Sequence, residues 1–232
     1  MSNQVAGARD FVTEALTEVA NPEKAPGMQA YMKTDMPFYG VQKEGRTAIL
    51  RQLVRDFQPS DRSEYEDLVL GIWALPHREE KYLALAYARH FKTFIVPESL
   101  PLYRGLIVGG AWWDFVDEIA TRLIRHLVLE DPTETWPVVD VWIDEDDMWL
   151  RRAAVICQIG AKKRTDAGRL FEFCAERAFE KEFFIRKAIG WALREYAKTE
   201  PEAVARFVTD HRGQLSGLSF REASKHIGHL LV

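Results

Sequence analysis

Apolar residues recur along this chain with the 3.6-residue period of a helix, and the helical segments recur with a longer period of their own. Start and stop signals divide the sequence into about a dozen helices, at 5–20, 28–35, 43–57, 61–75, 78–95, 98–109, 112–129, 133–142, 146–160, 165–179, 181–198, 200–211 and 217–231. Short connections separate them, with breakers at Asn21-Pro22, Pro59-Ser60-Asp61, Pro76, Pro97, Asp131-Pro132, Gly213 and Gly217. No alternating strand pattern recurs. The starts at 78, 112, 146, 181 and 217 lie roughly 34 to 36 residues apart, and each interval holds one long helix and one shorter one. Weak self-similarity accompanies the period: Trp149-Leu150-Arg151-Arg152-Ala153-Ala154 resembles Trp191-Ala192-Leu193-Arg194. A helix pair of this size cannot bury its apolar face alone and must stack on the next pair, which is the logic of an α-solenoid. The sequence therefore predicts an all-α protein, a solenoid of helix pairs forming a single domain over residues 1–232. A globular orthogonal bundle would need no fixed period.

Charge is distributed unevenly. The whole chain carries a net −4, which argues against a polyanionic partner if taken as a sum. Residues 1–150, however, hold 15 Lys and Arg against 25 Asp and Glu, whereas residues 151–232 hold 16 against 10. A polyanion senses local potential, so the basic C-terminal third is either an electrostatic footprint or ordinary solvated helix surface. An apolar fraction of 47% and a charged fraction of 28% exclude disorder and little else. No basic n-region precedes an apolar run, and no stretch reaches the eighteen or so apolar residues of a membrane helix, so a cytoplasmic location without membrane partners is expected. Cys157 and Cys174 form no C-x-x-C pair and read as two packed thiols. Phosphate-binding glycine motifs, an H-E-x-x-H helix and a serine elbow are all missing, and the six histidines have no ligand spacing. Neither a metal nor a cofactor is expected.

Some side chains sit where helix packing alone would not put them. On a wheel of 181–198, Ile185, Ala188, Ile189, Ala192, Leu193 and Tyr196 form the core stripe, while Lys187, Trp191, Arg194 and Lys198 cluster opposite. Burying Trp191 in the helix stack would drag Lys187 and Arg194 in with it. An aromatic platform in a phosphate-binding surface fits this pattern, and so does capping by a loop or a partner chain. In 112–129, Trp112 falls on the core stripe with Val116, Ile119, Leu123 and Leu127; Trp113 lies at its edge, one turn from Asp117. That carboxylate could cap the helix, stay solvated, or stabilise a cation held against the indole. Arg152 stands at the border of the next long helix, and Asp144-Glu145-Asp146-Asp147 suits the positive end of that helix as a cap.

Four stretches together resemble the DNA alkylation repair family of AlkD-type, HEAT-like-repeat DNA glycosylases. They are Ala30-Tyr31-Met32-Lys33 with Phe38-Tyr39-Gly40, Trp112-Trp113-Asp114-Phe115-Val116-Asp117, Trp149 to Ala154, and Lys187-Ala188-Ile189-Gly190-Trp191-Ala192-Leu193-Arg194-Glu195-Tyr196. The segment Arg221 to Ile227 fits as well. The resemblance implies a right-handed superhelix of HEAT-like helix pairs, acting as a monomer on double-stranded DNA that contains alkylated purines. It implies hydrolysis of the N-glycosidic bond of cationic N3- or N7-alkylated purines such as 3-methyladenine and 7-methylguanine, leaving an abasic site.

Carried over by position, it makes Asp117 the catalytic carboxylate and Trp113 and Trp191 the aromatic walls of the site. Arg152 and Arg194 become phosphate or backbone ligands, Tyr31 a contact near the lesion, and Lys187 and Lys198 part of the DNA-binding surface. Asp35, near Tyr31, puts an acidic group beside a surface that would meet DNA. Two rival readings are a HEAT-repeat protein that binds DNA structures without chemistry and, behind it, a protein-interaction scaffold.

Overall fold

The computed structural model describes residues 3–231. Among the described residues there are helices and turns and no strand. They fall into two compact units, divided between Ile95 and Val96, where the sequence alone reads as one continuous body. The first unit contains α1 (Asn3–Glu18), α2 (Ala25–Met32), α3 (Lys43–Asp56), α4 (Arg62–Trp73) and α5 (Arg78–His90). The second contains α6 (Leu100–Gly110), α7 (Trp113–Glu118), α8 (Arg125–Glu130), α9 (Pro132–Trp142), α10 (Met148–Ile156), α11 (Ala167–Glu176), α12 (Phe183–Ala197), α13 (Pro201–Asp210) and α14 (Gly217–Ala223). A π-helical turn, Ile119–Ile124, joins α7 to α8 without a break in the chain's helical course. Among the described residues no helix is long and apolar enough to cross a membrane.

The repeat is more regular than the sequence suggests. The helices α3, α5, α7, α10, α12 and α14 begin at 43, 78, 113, 148, 183 and 217, so successive starts are 35, 35, 35, 35 and 34 residues apart. Helices pack mainly on others a short distance away in the chain: α1 on α3 and α4, and α4 on α5, in the first unit; α10 on α9 and α12, and α12 on α13 and α14, in the second. Such packing results from amphipathicity. In α12 the stripe Ile185, Ala188, Ile189, Ala192 and Leu193 is buried, while Tyr196 at its end is only partly buried.

Departures are confined to helix ends and caps. Trp112 is not a core residue of the helix it precedes. Its backbone is extended (φ −150°, ψ 147°) at the N-cap, so its side chain leaves the stripe on which Val116, Ile119, Leu123 and Leu127 are buried. The expected helix 217–231 ends at Ala223 and continues as two 3₁₀ turns around Gly228. The expected 146–160 ends at Ile156, before Gly160, whose φ of +88° a helix cannot accommodate.

The first unit has a polar interior that the sequence does not announce. Arg78, Glu79, Glu80 and Lys81, the whole first turn of α5, are buried. Glu79 accepts the backbone N–H groups of Tyr39 (3.1 Å), Gly40 (2.9 Å) and Val41 (3.0 Å), which fixes the segment ahead of α3. Gly40 must be glycine there: its φ is +82°, and a Cβ would lie 2.0 Å from the Asn21 carbonyl oxygen. Glu80 accepts the backbone N–H of His77 (2.5 Å) and the Tyr39 hydroxyl (3.0 Å), closing a capping box. Burial, with the Glu80 charge and hydrogen bond behind it, pushes the Tyr39 hydroxyl up to about 12.

Removing the Glu79 acceptor strands three backbone donors. With each unsatisfied buried donor costing about 1–3 kcal/mol, Glu79→Ala should lower stability by at least about 3 kcal/mol in urea unfolding. A loss below about 1 kcal/mol would mean that water replaces the carboxylate.

Candidate active site

The second unit brings together residues that lie one repeat apart. Arg152, at the middle of α10, is 35 residues beyond Asp117 in α7, and its guanidinium forks onto that carboxylate. Nε donates to Oδ1 at 2.8 Å and Nη2 to Oδ2 at 2.9 Å. The remaining arm, Nη1, donates to the carbonyl oxygen of Phe184 in α12 at 2.6 Å. Arg152 is 4% exposed and Asp117 16% exposed, so the carboxylate, not the guanidinium, keeps an edge toward solvent. Two parallel N–H···O bonds require an ionised carboxylate and hold its plane fixed. Burial pushes the Asp117 carboxyl above its ordinary value; the Arg152 guanidinium pulls it back and Asp114 adds to the rise.

Local backbone also fixes Asp117. The Thr121 hydroxyl donates to the Asp117 carbonyl oxygen at 2.7 Å, and the π turn begins two residues after Asp117. A π turn shifts the register of the next helical residues. Ile119, Ala120, Leu123 and Ile124 can then be buried while Asp117 keeps its edge outward. Asp147 caps α10 by accepting from the N–H groups of Trp149 (2.8 Å) and Leu150 (3.1 Å), which makes part of the acidic run the cap its position suggests.

An aromatic group stands behind the fork. Phe184 lies with its ring centroid 4.9 Å from that of Trp149 and 5.7 Å from that of Trp112, and the Arg152 guanidinium is 5.8 Å from the Phe184 centroid. Trp113 is half-buried, one turn ahead of Asp117 in the same helix. Trp191 is half-buried on α12, on the stripe Phe184, Lys187, Trp191, Arg194 and Lys198 opposite the buried one.

The expected cations are all engaged. Arg152 is engaged inside the protein: its buried guanidinium donates from all three nitrogens, to the Asp117 carboxylate and the Phe184 carbonyl. Lys187 (3.0 Å) and Arg194 both reach Glu222 of α14, as does Lys225 (2.9 Å). Lys198 pairs with Glu195 of its own helix at 2.7 Å. Tyr31 belongs to the first unit, where it is exposed. Among the described residues no group of His, Cys, Asp or Glu could hold a metal ion. Phe184, Thr121 and Glu222 were not singled out from the sequence. For Glu222 a signal existed: it lies 35 residues beyond Lys187, as Arg152 lies 35 beyond Asp117.

A family model described as DNA alkylation repair enzyme matches residues 12–227 of the chain. A predicted DNA alkylation repair enzyme from Enterococcus faecalis has a similar solved structure, with a TM-score of 0.81 and 30% identity over 90% of this chain and 96% of that one. AlkD2 from Streptococcus mutans gives a TM-score of 0.64 at 16% identity, over 87% of this chain and 98% of its own, a likeness of fold alone. No curated protein matches the sequence.

The ion pairs make two outcomes testable. Asp117→Asn leaves a buried guanidinium without its counter-charge and should cost about 3–5 kcal/mol in urea unfolding. The double change Asp117→Asn with Arg152→Met should regain most of that; an equal loss in both would mean that the guanidinium is not stranded. Glu222 is held down to about 2, chiefly by the Lys225 hydrogen bond and then by Lys187 and Arg194. A depressed carboxyl stabilises the fold above its ordinary value of 4.5 and loses that contribution as pH falls toward 2. Stability of the wild type should therefore drop between those values, and Glu222→Gln should flatten the drop; identical acid limbs would remove Glu222 from this role.

Proposed function

The chain belongs to the DNA alkylation repair enzyme family, and from that membership and the site on α7, α10 and α12 we propose that it is an alkylpurine DNA glycosylase. Its reaction would be hydrolysis of the N-glycosidic bond of cationic N3- or N7-alkylated purines in duplex DNA. The observation that carries this reading is the forked, partly exposed carboxylate of Asp117, one turn from Trp113.

An alkylated purine cation is already a good leaving group and needs no protonation. As the bond breaks, positive charge moves onto the deoxyribose. A fixed carboxylate in a partly dry setting is the electrostatic complement of that charge, and it can orient the attacking water. The fork with Arg152 occupies one lone-pair position on each oxygen of Asp117, and each oxygen retains another for the water or the sugar cation. Arg152 thereby acts as a positioning residue. The indole faces of Trp113 and Trp191 would hold the cationic sugar and base, at roughly 0.5–2 kcal/mol each. A neutral base, which no group of the proposed site protonates, stays a poor leaving group, gains little from these elements and should stay in place. Lys187, Arg194 and Lys198 would supply the phosphate-facing charge of the second unit; Tyr31, exposed on the first unit, would be a separate DNA contact.

Single-turnover release of 7-methylguanine from methylated duplex DNA tests the proposal, at a temperature where circular dichroism shows both proteins folded. Asp117→Asn should release the base about 10²–10³-fold more slowly, the scale of one preorganised electrostatic group. Trp113→Ala and Trp191→Ala should be milder. Equal rates for wild type and Asp117→Asn would remove Asp117 from the chemistry. Salt-sensitive duplex binding by the wild type without abasic product would identify a non-catalytic binder, and indifference to duplex DNA a protein scaffold.

A further inference from the structure

Three separate cations, Lys187, Arg194 and Lys225, form ion pairs with the single carboxylate of Glu222. Its place is fixed by backbone packing. A Cβ at Gly190 would lie 2.5 Å from the Glu222 Cβ and 3.0 Å from the Ser219 carbonyl oxygen, so the glycine lets α14 approach α12 closely at this point. The Ser219 hydroxyl also donates to the Arg186 carbonyl oxygen at 2.9 Å, tying α14 to α12 one turn from Gly190. The carboxylate cannot track its partners outward.

The cations face the other way. The Glu222 side chain is 9% exposed, whereas those of Arg194, Lys187 and Lys225 are 21%, 39% and 51% exposed. One carboxylate within and three cations without leave a surplus of two positive charges at the surface. The ligand such a cluster fits is an anion. Lys187 and Arg194 flank Trp191 on the α12 stripe, at four residues before it and three after. Register points to the same surface. Asp117, Arg152, Lys187 and Glu222 succeed one another at 35-residue intervals, and neighbours in that series are paired twice over, Arg152 with Asp117 and Lys187 with Glu222.

We propose that Glu222 is a positioning residue that holds Lys187, Arg194 and Lys225 as one preformed site for a backbone phosphate of DNA beside Trp191. The proposal rests on the DNA-binding reading of the site. Without the carboxylate the three cations repel one another and disperse, and each must be gathered again when a phosphate arrives. Since Glu222 stays ionised down to about pH 2, the cluster is assembled across the neutral range.

Positioning and simple charge predict opposite results, and fluorescence anisotropy with an undamaged duplex between about 50 and 200 mM salt separates them. Glu222→Gln removes a negative charge, so if the carboxylate merely neutralises, binding should tighten and the salt slope steepen. If it positions, binding should weaken roughly tenfold and the slope should shrink by about 0.9 for the lost phosphate contact. In an Arg194→Ala background the same change should cost less than twofold; the full loss there would mean a general effect on the fold and would overturn the proposal. Should Glu222→Gln fail to fold, Glu222→Asp keeps the charge and withdraws it by one methylene. It should also weaken binding, and full affinity in a folded Asp variant would overturn the proposal. A wild type with no salt-dependent duplex affinity would overturn the DNA-binding reading itself, whereas a wild type that binds while Glu222→Gln binds more tightly would overturn only the role of Glu222.

Discussion

A buried guanidinium forked onto a half-open carboxylate joins three helices of the second unit. Arg152 comes from α10, Asp117 from α7, and the carbonyl of Phe184 from α12. None of these polar groups would be tolerable alone in a partly dry setting. Desolvating two charges costs several kcal/mol per ion, and good geometry at best returns what was spent. The pair therefore does not exist to stabilise the fold, and an apolar pair of similar volume would serve that end as well. It holds one anionic group rigid, with one edge toward solvent. The π turn after Asp117 and the Thr121 hydroxyl on its carbonyl serve the same end, since both fix the backbone that carries the carboxylate.

The fork is one instance of a register that the repeat imposes. In the second unit, where α7 packs on α10, α10 on α12 and α12 on α14, a given turn of one long helix lies near the same turn of the next. Residues 35 apart then become neighbours, and Asp117, Arg152, Lys187 and Glu222 are such a series. The order of signs along it produces two pairs instead of four isolated charges. The basic character of the C-terminal third is accordingly not a diffuse surface property. Much of it is paired, with Lys187, Arg194 and Lys225 organised around one carboxylate and Arg152 withdrawn from the surface altogether.

The turn of the repeat just before that register serves a different purpose in the first unit. There the first turn of α5 is buried, and its carboxylates satisfy the backbone of the segment before α3 and cap their own helix. Glu79 faces amide donors with no exposed edge, whereas Asp117 faces a guanidinium and keeps one. A carboxylate that spends its lone pairs on backbone N–H groups is structural; one that retains free lone pairs near solvent can meet a substrate.

Local order in the chain was enough to set the elements and their spacing. A 3.6-residue period, breakers at helix ends and a recurring interval near 35 are all properties of neighbours in sequence, so α5, α7, α10, α12 and α14 could be placed to within two residues at their starts. Local order also put Trp113 one turn from Asp117, and Trp191 with Lys187, Arg194 and Lys198 on the face of α12 away from the core, because both are arrangements within one helix. It could not decide what faces what across helices. Helix periodicity placed Arg152 only at a border of its own helix, and its phosphate role was an implication of the family resemblance; only the stacking of α10 against α7 and α12 put Asp117 and the Phe184 carbonyl within its reach. Trp112 read as core because the helix was taken to begin one residue early, and an extended N-cap moved it off the stripe. Glu222 looked unremarkable in sequence, since its partners lie mostly 28 or 35 residues away and the close approach permitted by Gly190 exists only in three dimensions. Periodicity is set by the chain with its neighbours in sequence, but the pairing of charges depends on distances that only packed helices fix.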